Sequence, residues 1–337
     1  MMQTFTPRKL LLPLVPAYRL ALLLREVALR VKLEPVRHLR WPVVSIGNLS
    51  TGGAGKTPLT ITLAKALERR GLHVDVLTRG YGRRGQRVAR VDVGGTAEDF
   101  GDEPLLIARE AGVGVYVARQ RHDAGLLAEA DGCKVDVHLL DDGFQHRQLH
   151  RDVDILLLDH HDWLEEGLLP AGNLREPVRA ARRATVLAIP APEGAPELEA
   201  ALRAWGWEGP VWRLHRKMEV PAVDGPVAAF CGIARPEQFF AGLEAAGLTL
   251  ATRVAFRDHH RYTKADLERL IASARAAGVT TFITTEKDIV RLGKLAAAFP
   301  ESLPLLTARL GIEIEHEVEA IEWLEERLLP PPDHPLL

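Results

Sequence analysis

The residues with the plainest chemical purpose are Ser50-Thr51-Gly52-Gly53-Ala54-Gly55-Lys56-Thr57. Glycines at this density let successive backbone N–H groups curl around phosphate oxygens, and a helix starting here adds the partial positive charge of its N-terminus. Lys56 would reach the β- and γ-phosphates of a nucleoside triphosphate, and the Thr57 hydroxyl would hold Mg²⁺. The strict phosphate-loop pattern has Gly where this chain has Ser50. A Gly-rich turn that merely caps a helix is the bland alternative. Against it stands a downstream pair, Asp141-Asp142, at the end of the apolar run VDVHLL. A strand ending there delivers carboxylates to the carboxyl edge of a parallel sheet, where ligands of such sheets bind, and oxygen ligands suit Mg²⁺. One of the two is expected to serve the metal, and the sequence leaves open which.

The elements that must position these groups follow from periodicity. Short β-branched runs at 42–46, 74–78, 135–140, 155–158 and 186–189 alternate with helical patterns, such as 58–70 and one beginning at 104. That alternation predicts an α/β fold, a phosphate-loop-type parallel sheet with flanking helices. After a Trp-rich stretch around 205–212 the alternation resumes, with strands at 227–231, 250–256 and 281–284 and helices at 236–246, 263–277 and 318–328. We expect an N-terminal basic amphipathic segment at 1–40, a nucleotide-binding domain at 41–215 and a smaller α/β domain at 216–337.

Composition sets outer bounds. A chain of 337 residues with 47% hydrophobic and 26% charged residues fits a soluble globular protein, and the formal net charge of −2 gives no pull toward nucleic acid. Its two cysteines, Cys133 and Cys231, make neither a disulfide framework nor a zinc site and fit a reducing cytoplasm. No uncharged apolar run reaches the ~18–20 residues needed to span a bilayer. Yet eight Lys/Arg against two Glu fall between Arg8 and Arg40, so that segment should meet an anionic surface. Leu20, Leu23, Leu24, Val27 and Val31 share one helical face, with Leu22 and Leu29 opposite. One face could pack on the domain and the other dip into lipid headgroups; a helix buried between elements, or against a partner subunit, fits the same spacing.

Taken together, GNLSTGGAGKTP, TRGYGR, GDEP, DDGFQH, AGNLREP, GIARPEQFF, FRDHHRYT and TTEKD occur in the order found in tetraacyldisaccharide 4′-kinases, and the chain resembles that family from about residue 8 to about residue 292. Ser50 is part of the family's own pattern. The resemblance implies an ATP-dependent, Mg²⁺-requiring kinase for the 4′-hydroxyl of a tetraacylated glucosamine disaccharide 1-phosphate, in lipid A biosynthesis. It implies a cytoplasmic enzyme, peripheral on the inner face of the bacterial inner membrane, with an acylated disaccharide lipid and an anionic membrane surface as partners and no obligate protein partner. By motif position Lys56, Thr57, Asp141 and Asp142 fall on nucleotide and metal residues. Asp102 and His259 fall on positions associated with proton abstraction from the sugar hydroxyl. Arg79, Tyr81, Arg121, Gln145, His146, Arg175 and Glu176 fall on other active-site positions.

Other readings compete. Gly101-Asp102-Glu103-Pro104 before an apolar helix is by itself a good N-cap sequence. Asp258-His259-His260 and Asp159-His160-His161-Asp162 could build a dinuclear metallohydrolase centre, though such an enzyme has no use for Lys56-Thr57 in a glycine nest. Thr263-Lys264-Ala265-Asp266 mimics a guanine-recognition motif but reads as a capping box. A regulatory or metallochaperone-type phosphate-loop switch would want Lys in place of Thr51, and a membrane-binding module with a vestigial site would not need Lys56, Thr57 and Asp141 intact.

Overall fold

The computed structural model describes residues 7–31, 33–52, 55–160, 162, 167–191 and 195–328. The strands in chain order are β1 (Val43–Asn48), β2 (Val74–Thr78), β3 (Ala89–Arg90), β4 (Gly114–Val117), β5 (Val137–Asp141) and β6 (Val153–Leu157), then β7 (Val186–Ala191), β8 (Val211–Glu219), β9 (Val227–Cys231), β10 (Leu250–Ala255), β11 (Phe282–Thr285) and β12 (Leu305–Ile314). They form one sheet, ordered β10-β9-β11-β12-β8-β7-β6-β1-β5-β2-β4-β3. From β8 to β4 neighbouring strands run parallel, which requires the helical crossovers that the alternation in sequence predicts.

The helices are α1 (Val15–Arg30), α2 (Lys56–Arg69), α3 (Ala97–Phe100), α4 (Asp102–Ala111), α5 (Arg121–Ala130) and α6 (Ala195–Ala204), followed by α7 (Pro236–Ala245), α8 (Lys264–Ala276), α9 (Glu286–Leu292) and α10 (Glu317–Leu328). All six residues of β1 are buried, as expected of a central strand covered on both faces. On one face Val44 and Ile46 meet Leu59, Leu63 and Leu67, the i, i+4, i+8 stripe of α2. Each such leucine contributes roughly 1.5–3 kcal/mol by leaving water. This stripe fixes α2, and with it Lys56 and Thr57, over the end of β1.

One strand joins the two halves of the sheet. The first part of β12, Leu305 to Ala308, pairs in parallel with β11, and its second part, Arg309 to Ile314, pairs antiparallel with β8. Residue 215, where the sequence places a domain boundary, lies inside β8. From α2, Thr62 Oγ1 donates to the Ile312 carbonyl at 2.8 Å, so the phosphate-loop helix also rests on this joining strand.

A 3-10 helix at Pro7–Leu14 leads into α1. Tyr18 and Leu22 turn toward the core around Phe144 and Leu174, while Leu20, Leu23, Leu24, Val27 and Val31 are exposed. Among the described residues no helix is long and apolar enough to cross a membrane.

Candidate active site

Gly55 caps α2 with φ +92°, a backbone conformation that L side chains rarely adopt, so the loop-to-helix turn requires glycine there. Lys56 begins the helix and turns back across β1: its Nζ donates to Asn48 Oδ1 at 2.8 Å and lies 3.4 Å from Asp142 Oδ1. Thr57 is buried beside it. Ser50 is buried; its hydroxyl donates to Asp162 Oδ2 and accepts from Asn48 Nδ2, both at 3.1 Å. Thr51 N donates to the Asn173 carbonyl at 2.9 Å, which ties the loop's start to AGNLREP. Gly52 approaches the second half of the chain, since a Cβ placed on it would sit 3.0 Å from Ala234 Cβ. Gly53 and Ala54 lie outside the described residues.

At the end of β5, Asp141 Oδ1 accepts from Thr60 Oγ1 at 3.2 Å, one helical turn beyond Thr57. Burial, and then the Glu103 and Asp142 carboxylates nearby, push the Asp141 carboxyl upward. Asp142 sits at φ +52° and faces cations instead. Burial opposes its charge, but Lys56, Arg175 and Arg121 hold it down at about 2, and Arg175 Nη1 donates to both of its oxygens at 2.9 Å. Asp141 is thus a buried carboxylate crowded by two others, whose effect Lys56 and Lys287 only partly offset, beside the buried Thr60 hydroxyl. That donor set fits Mg²⁺, which takes oxygen ligands and keeps several waters.

A second cluster is drawn from both halves of the chain. Asp102, the first residue of α4, is buried, and its Oδ2 lies 3.1 Å from His259 Nδ1. Arg291 of α9 also binds that oxygen, through Nε at 2.7 Å and Nη2 at 2.5 Å. The cap reading of Asp102 therefore does not describe its side chain. The N-cap of α4 is Gly101, with no side-chain cap bond, and the carboxylate is occupied elsewhere. Burial works against ionised Asp102, yet the His259 hydrogen bond, Arg291 and Lys287 hold it well below the usual carboxylate range. The Asp102 hydrogen bond raises the His259 ring, opposed by burial. His259 stands at φ +56°, a cost of order 1–3 kcal/mol for a non-glycine residue. Beside this pair Lys287 Nζ donates to Glu103 Oε1 at 2.6 Å.

Around the aspartates, Arg175, Gln145 and Arg121 gather, while Arg79 and Tyr81 stand exposed, the Tyr81 ring 5.4 Å from that of His259. Arg121 is buried with its Nε unpartnered. Burial, and then Arg121, Arg151, Arg25 and Arg79, press His146 down to about 3, so its ring is neutral at ordinary pH. Glu176 pairs with Arg183 at 2.8 Å. The N-terminal helix is fastened to the same loops: Tyr18 OH donates to the Arg175 carbonyl at 2.7 Å, Arg25 to the Gln145 carbonyl at 2.6 Å, and Glu26 pairs with Arg147.

The dinuclear-metal reading fails on geometry. No group of three or more His, Cys, Asp or Glu that could hold a metal occurs among the described residues. Asp162 serves Ser50, Asp159 pairs with Arg235 at 3.0 Å, and His260 faces Asp266 at 3.2 Å; His161 lies outside the described residues. Thr263 and Asp266 form the expected capping box. Asn48, Thr60, Glu103, Lys287 and Arg291 are site residues that the sequence reading does not single out. The signals for three of them were available: Thr60 falls one turn after Thr57, Lys287 is the lysine of TTEKD, and Arg291 follows it four positions later on the same helix face.

A family model described as tetraacyldisaccharide-1-P 4′-kinase matches residues 7–329. A tetraacyldisaccharide 4′-kinase of Koribacter versatilis (strain Ellin345) is 40% identical over 298 residues, covering 85% of this chain and 88% of its own. The protein of the same description from Geobacter metallireducens is 40% identical over 304 residues, covering 82% and 86%. Among solved structures, LpxK from Aquifex aeolicus in complex with ATP superposes with a TM-score of 0.76 at 30% identity, covering 96% of this chain and 100% of that one.

Proposed function

The chain belongs to the tetraacyldisaccharide-1-P 4′-kinase family, and from that premise we propose how its residues carry the reaction. The enzyme phosphorylates the 4′-hydroxyl of a tetraacylated glucosamine disaccharide 1-phosphate with ATP, a step of lipid A biosynthesis. Its acceptor is a lipid disaccharide.

The loop from Ser50 to Thr57 takes the triphosphate, and Lys56 neutralises charge that develops on the transferred group. Thr57 and Asp141 would hold Mg²⁺, with Asp142, now paired with Arg175 and Lys56, the further candidate ligand. Bound there, Mg²⁺ would supply charge neutralisation for the phosphates. Asp102 and His259 take the proton of the sugar hydroxyl, which is a poor nucleophile until a positioned base accepts it. Arg79, Tyr81, Arg121, Gln145, His146, Arg175 and Glu176 line the acceptor side. Lys56 and Asp102 come from the first half of the chain and His259 from the second, and the carboxylate–imidazole pair already stands assembled across the halves at 3.1 Å.

Leu20, Leu23 and Leu24, exposed beside Arg19 and Arg30, dip into the lipid interface and bring the site to an acyl-bearing substrate. The protein is then peripheral, on the cytoplasmic face of an anionic membrane.

The observation that carries this reading is the meeting of two groups at one sheet edge: Lys56 at 3.4 Å from Asp142, and a carboxylate–imidazole pair at 3.1 Å. Transfer of labelled γ-phosphate from ATP to a detergent-solubilised acylated disaccharide 1-phosphate tests it. Transfer should require Mg²⁺ and vanish in His259→Ala. Undiminished transfer by His259→Ala would remove the pair from the chemistry.

A further inference from the structure

We propose that Arg235, in the segment that opens α7, is a nucleotide-binding residue that the second half of the chain lends to the phosphate loop: Asp159 holds its guanidinium until the triphosphate of ATP takes it over. The inference rests on the assignment of the loop at 50–57 to the triphosphate and adds one ligand to it.

Strands β6 and β1 pair in parallel with Leu157 opposite Asn48, so Asp159 and Ser50 each stand two residues past that pairing, at the carboxyl edge of the sheet. The two loops that leave there stay joined, because Ser50 Oγ donates to Asp162 Oδ2 at 3.1 Å. Residues 232–235 face them from the second half. A Cβ placed on Gly52 would lie 3.0 Å from Ala234 Cβ, and the Cα of Arg235 is about 3.8 Å further along the chain. Arg235 Nη1 donates to Asp159 Oδ2 at 3.0 Å. Its backbone is held as the N-cap of α7, with Pro236 at the first helical position and no side-chain cap bond, so the guanidinium is not spent on the helix. A cation of the second half therefore stands against the loop that takes the phosphates.

The hold of Asp159 is weak. The Arg235 side chain is 26% exposed and that of Asp159 14%, against 6% and 7% for Arg291 and Asp102. An ion pair open to solvent to that degree binds its members loosely. A triphosphate carries several negative charges, and a guanidinium meets phosphate oxygens two at a time through charge-assisted hydrogen bonds. Phosphate therefore wins the exchange. Nor does the exchange strand Asp159. Arg216 of β8 lines the same cleft, with Leu157, Leu214 and Ile312, and its Nη1 donates to Gln238 Oε1 at 3.0 Å. The Asp159 charge acts on Arg216, whose guanidinium burial holds below its ordinary value. Arg216 stays as a counter-charge when Arg235 turns away.

A static tie between the halves would give a different sign. If Arg235 only fastens α7 to the edge of the first half, removing either partner loosens the site and weakens ATP binding alike. If Asp159 holds Arg235 in reserve, removing Asp159 frees the guanidinium and strengthens ATP binding, while removing Arg235 weakens it. An Asp159 that merely repels phosphate gives the same gain whether or not Arg235 is present.

The test uses the full chain. Kd for ATP with Mg²⁺ is measured by isothermal titration calorimetry for wild type, Arg235→Gln, Asp159→Asn and the double variant, with Tm recorded for each. Arg235→Gln should raise Kd ~10-fold, the usual worth of a hydrogen bond to a charged group. Asp159→Asn should lower Kd ~2–5-fold, about what release from a partly solvated ion pair returns. The double variant should bind like Arg235→Gln, since the gain passes through the arginine. An unchanged Kd in Arg235→Gln, a Kd raised alike in both single variants, or a gain from Asp159→Asn that survives in the double variant overturns the proposal. If Arg235→Gln does not fold, Asp159→Asn decides alone, and a Kd at or above the wild-type value overturns it. Lys56→Ala separates the underlying reading: phosphoryl transfer retained there means that the loop does not take the triphosphate, whatever Arg235 does.

Discussion

Asp102→Asn should damage rate and stability together. The substitution keeps the side chain's shape and removes its charge from a site where Arg291 approaches at 2.5 Å and is almost fully buried. Arg291 would keep Asp288 at 3.3 Å and the Gly232 carbonyl but lose its main counter-charge. Stranding one member of a buried pair costs about 3–5 kcal/mol. At roughly 2 °C per kcal/mol for a chain of this size, Tm should fall by about 6–10 °C. The catalytic loss should be ~10²–10⁴ in kcat, the usual worth of acid–base assistance, with ATP affinity unchanged. The difference in Tm should also depend on pH. Asp102 is held below its unfolded value, so its contribution is complete above about pH 4 and is lost as pH falls through the lower folded value. Because Asp102 also raises the His259 ring, wild type and variant should differ most near pH 5, less as pH rises through the raised His259 value, and converge in acid as Asp102 protonates. Differential scanning calorimetry across that range, beside steady-state kinetics, reads both. A destabilised variant with full kcat would leave Asp102 as a brace and no more; an unchanged Tm would refute the buried-pair energetics.

Lys56→Ala should lower phosphoryl transfer by more than ~10-fold, a loss above ~1.4 kcal/mol, while Arg175 still neutralises Asp142 and preserves the fold; kinetics with circular dichroism would show it. Replacing Leu20, Leu23 and Leu24 together by Ser should weaken co-sedimentation with anionic vesicles by about 10²-fold, at about 1 kcal/mol for each exposed leucine; unchanged sedimentation would assign that face to another contact. A Cβ at Gly47 would lie 2.5 Å from Phe144 Cβ and 2.8 Å from its backbone nitrogen, so Gly47→Ala should cost about 1–3 kcal/mol in urea unfolding. Because the His146 ring stays neutral in the fold down to about 3, the unfolded chain gains a proton first as pH drops below 6.5. His146→Gln should thus lose Tm more slowly than wild type between pH 6.5 and 4.5.

The phosphate loop, Asp141-Asp142 and most parallel strands were legible because local chemistry declares them: glycines, a lysine, and β-branched runs ending in carboxylates. Asp102 and His259 were not legible from physics. They stand 157 positions apart, and GDEP before an apolar helix is also what a cap looks like. Only the resemblance to a family singled them out, and Arg291, which no quoted motif contains, was missed. Strands β8 and β12 do not stand out in the sequence because their exposed positions carry charges, Arg216, Lys217 and Glu219 in one and Arg309 and Glu313 in the other. The antiparallel pairing between them leaves one face wet, so neither reads as a buried run.

Strand β12 has a consequence for how the protein is made. It is the last strand among the described residues, yet it takes a place in the middle of the sheet, between β8 and β11. While a ribosome is still synthesising residues 220–300, β8 presents an unpaired edge and β9 to β11 have no junction to the rest. The first half can collapse around β1 as it emerges, but the pairing that unites the sheet waits for residues 305–314. Such late, long-range closure is slow, and an open edge invites pairing with another nascent chain. The alternating charges of β8 keep that edge soluble until its partner is translated.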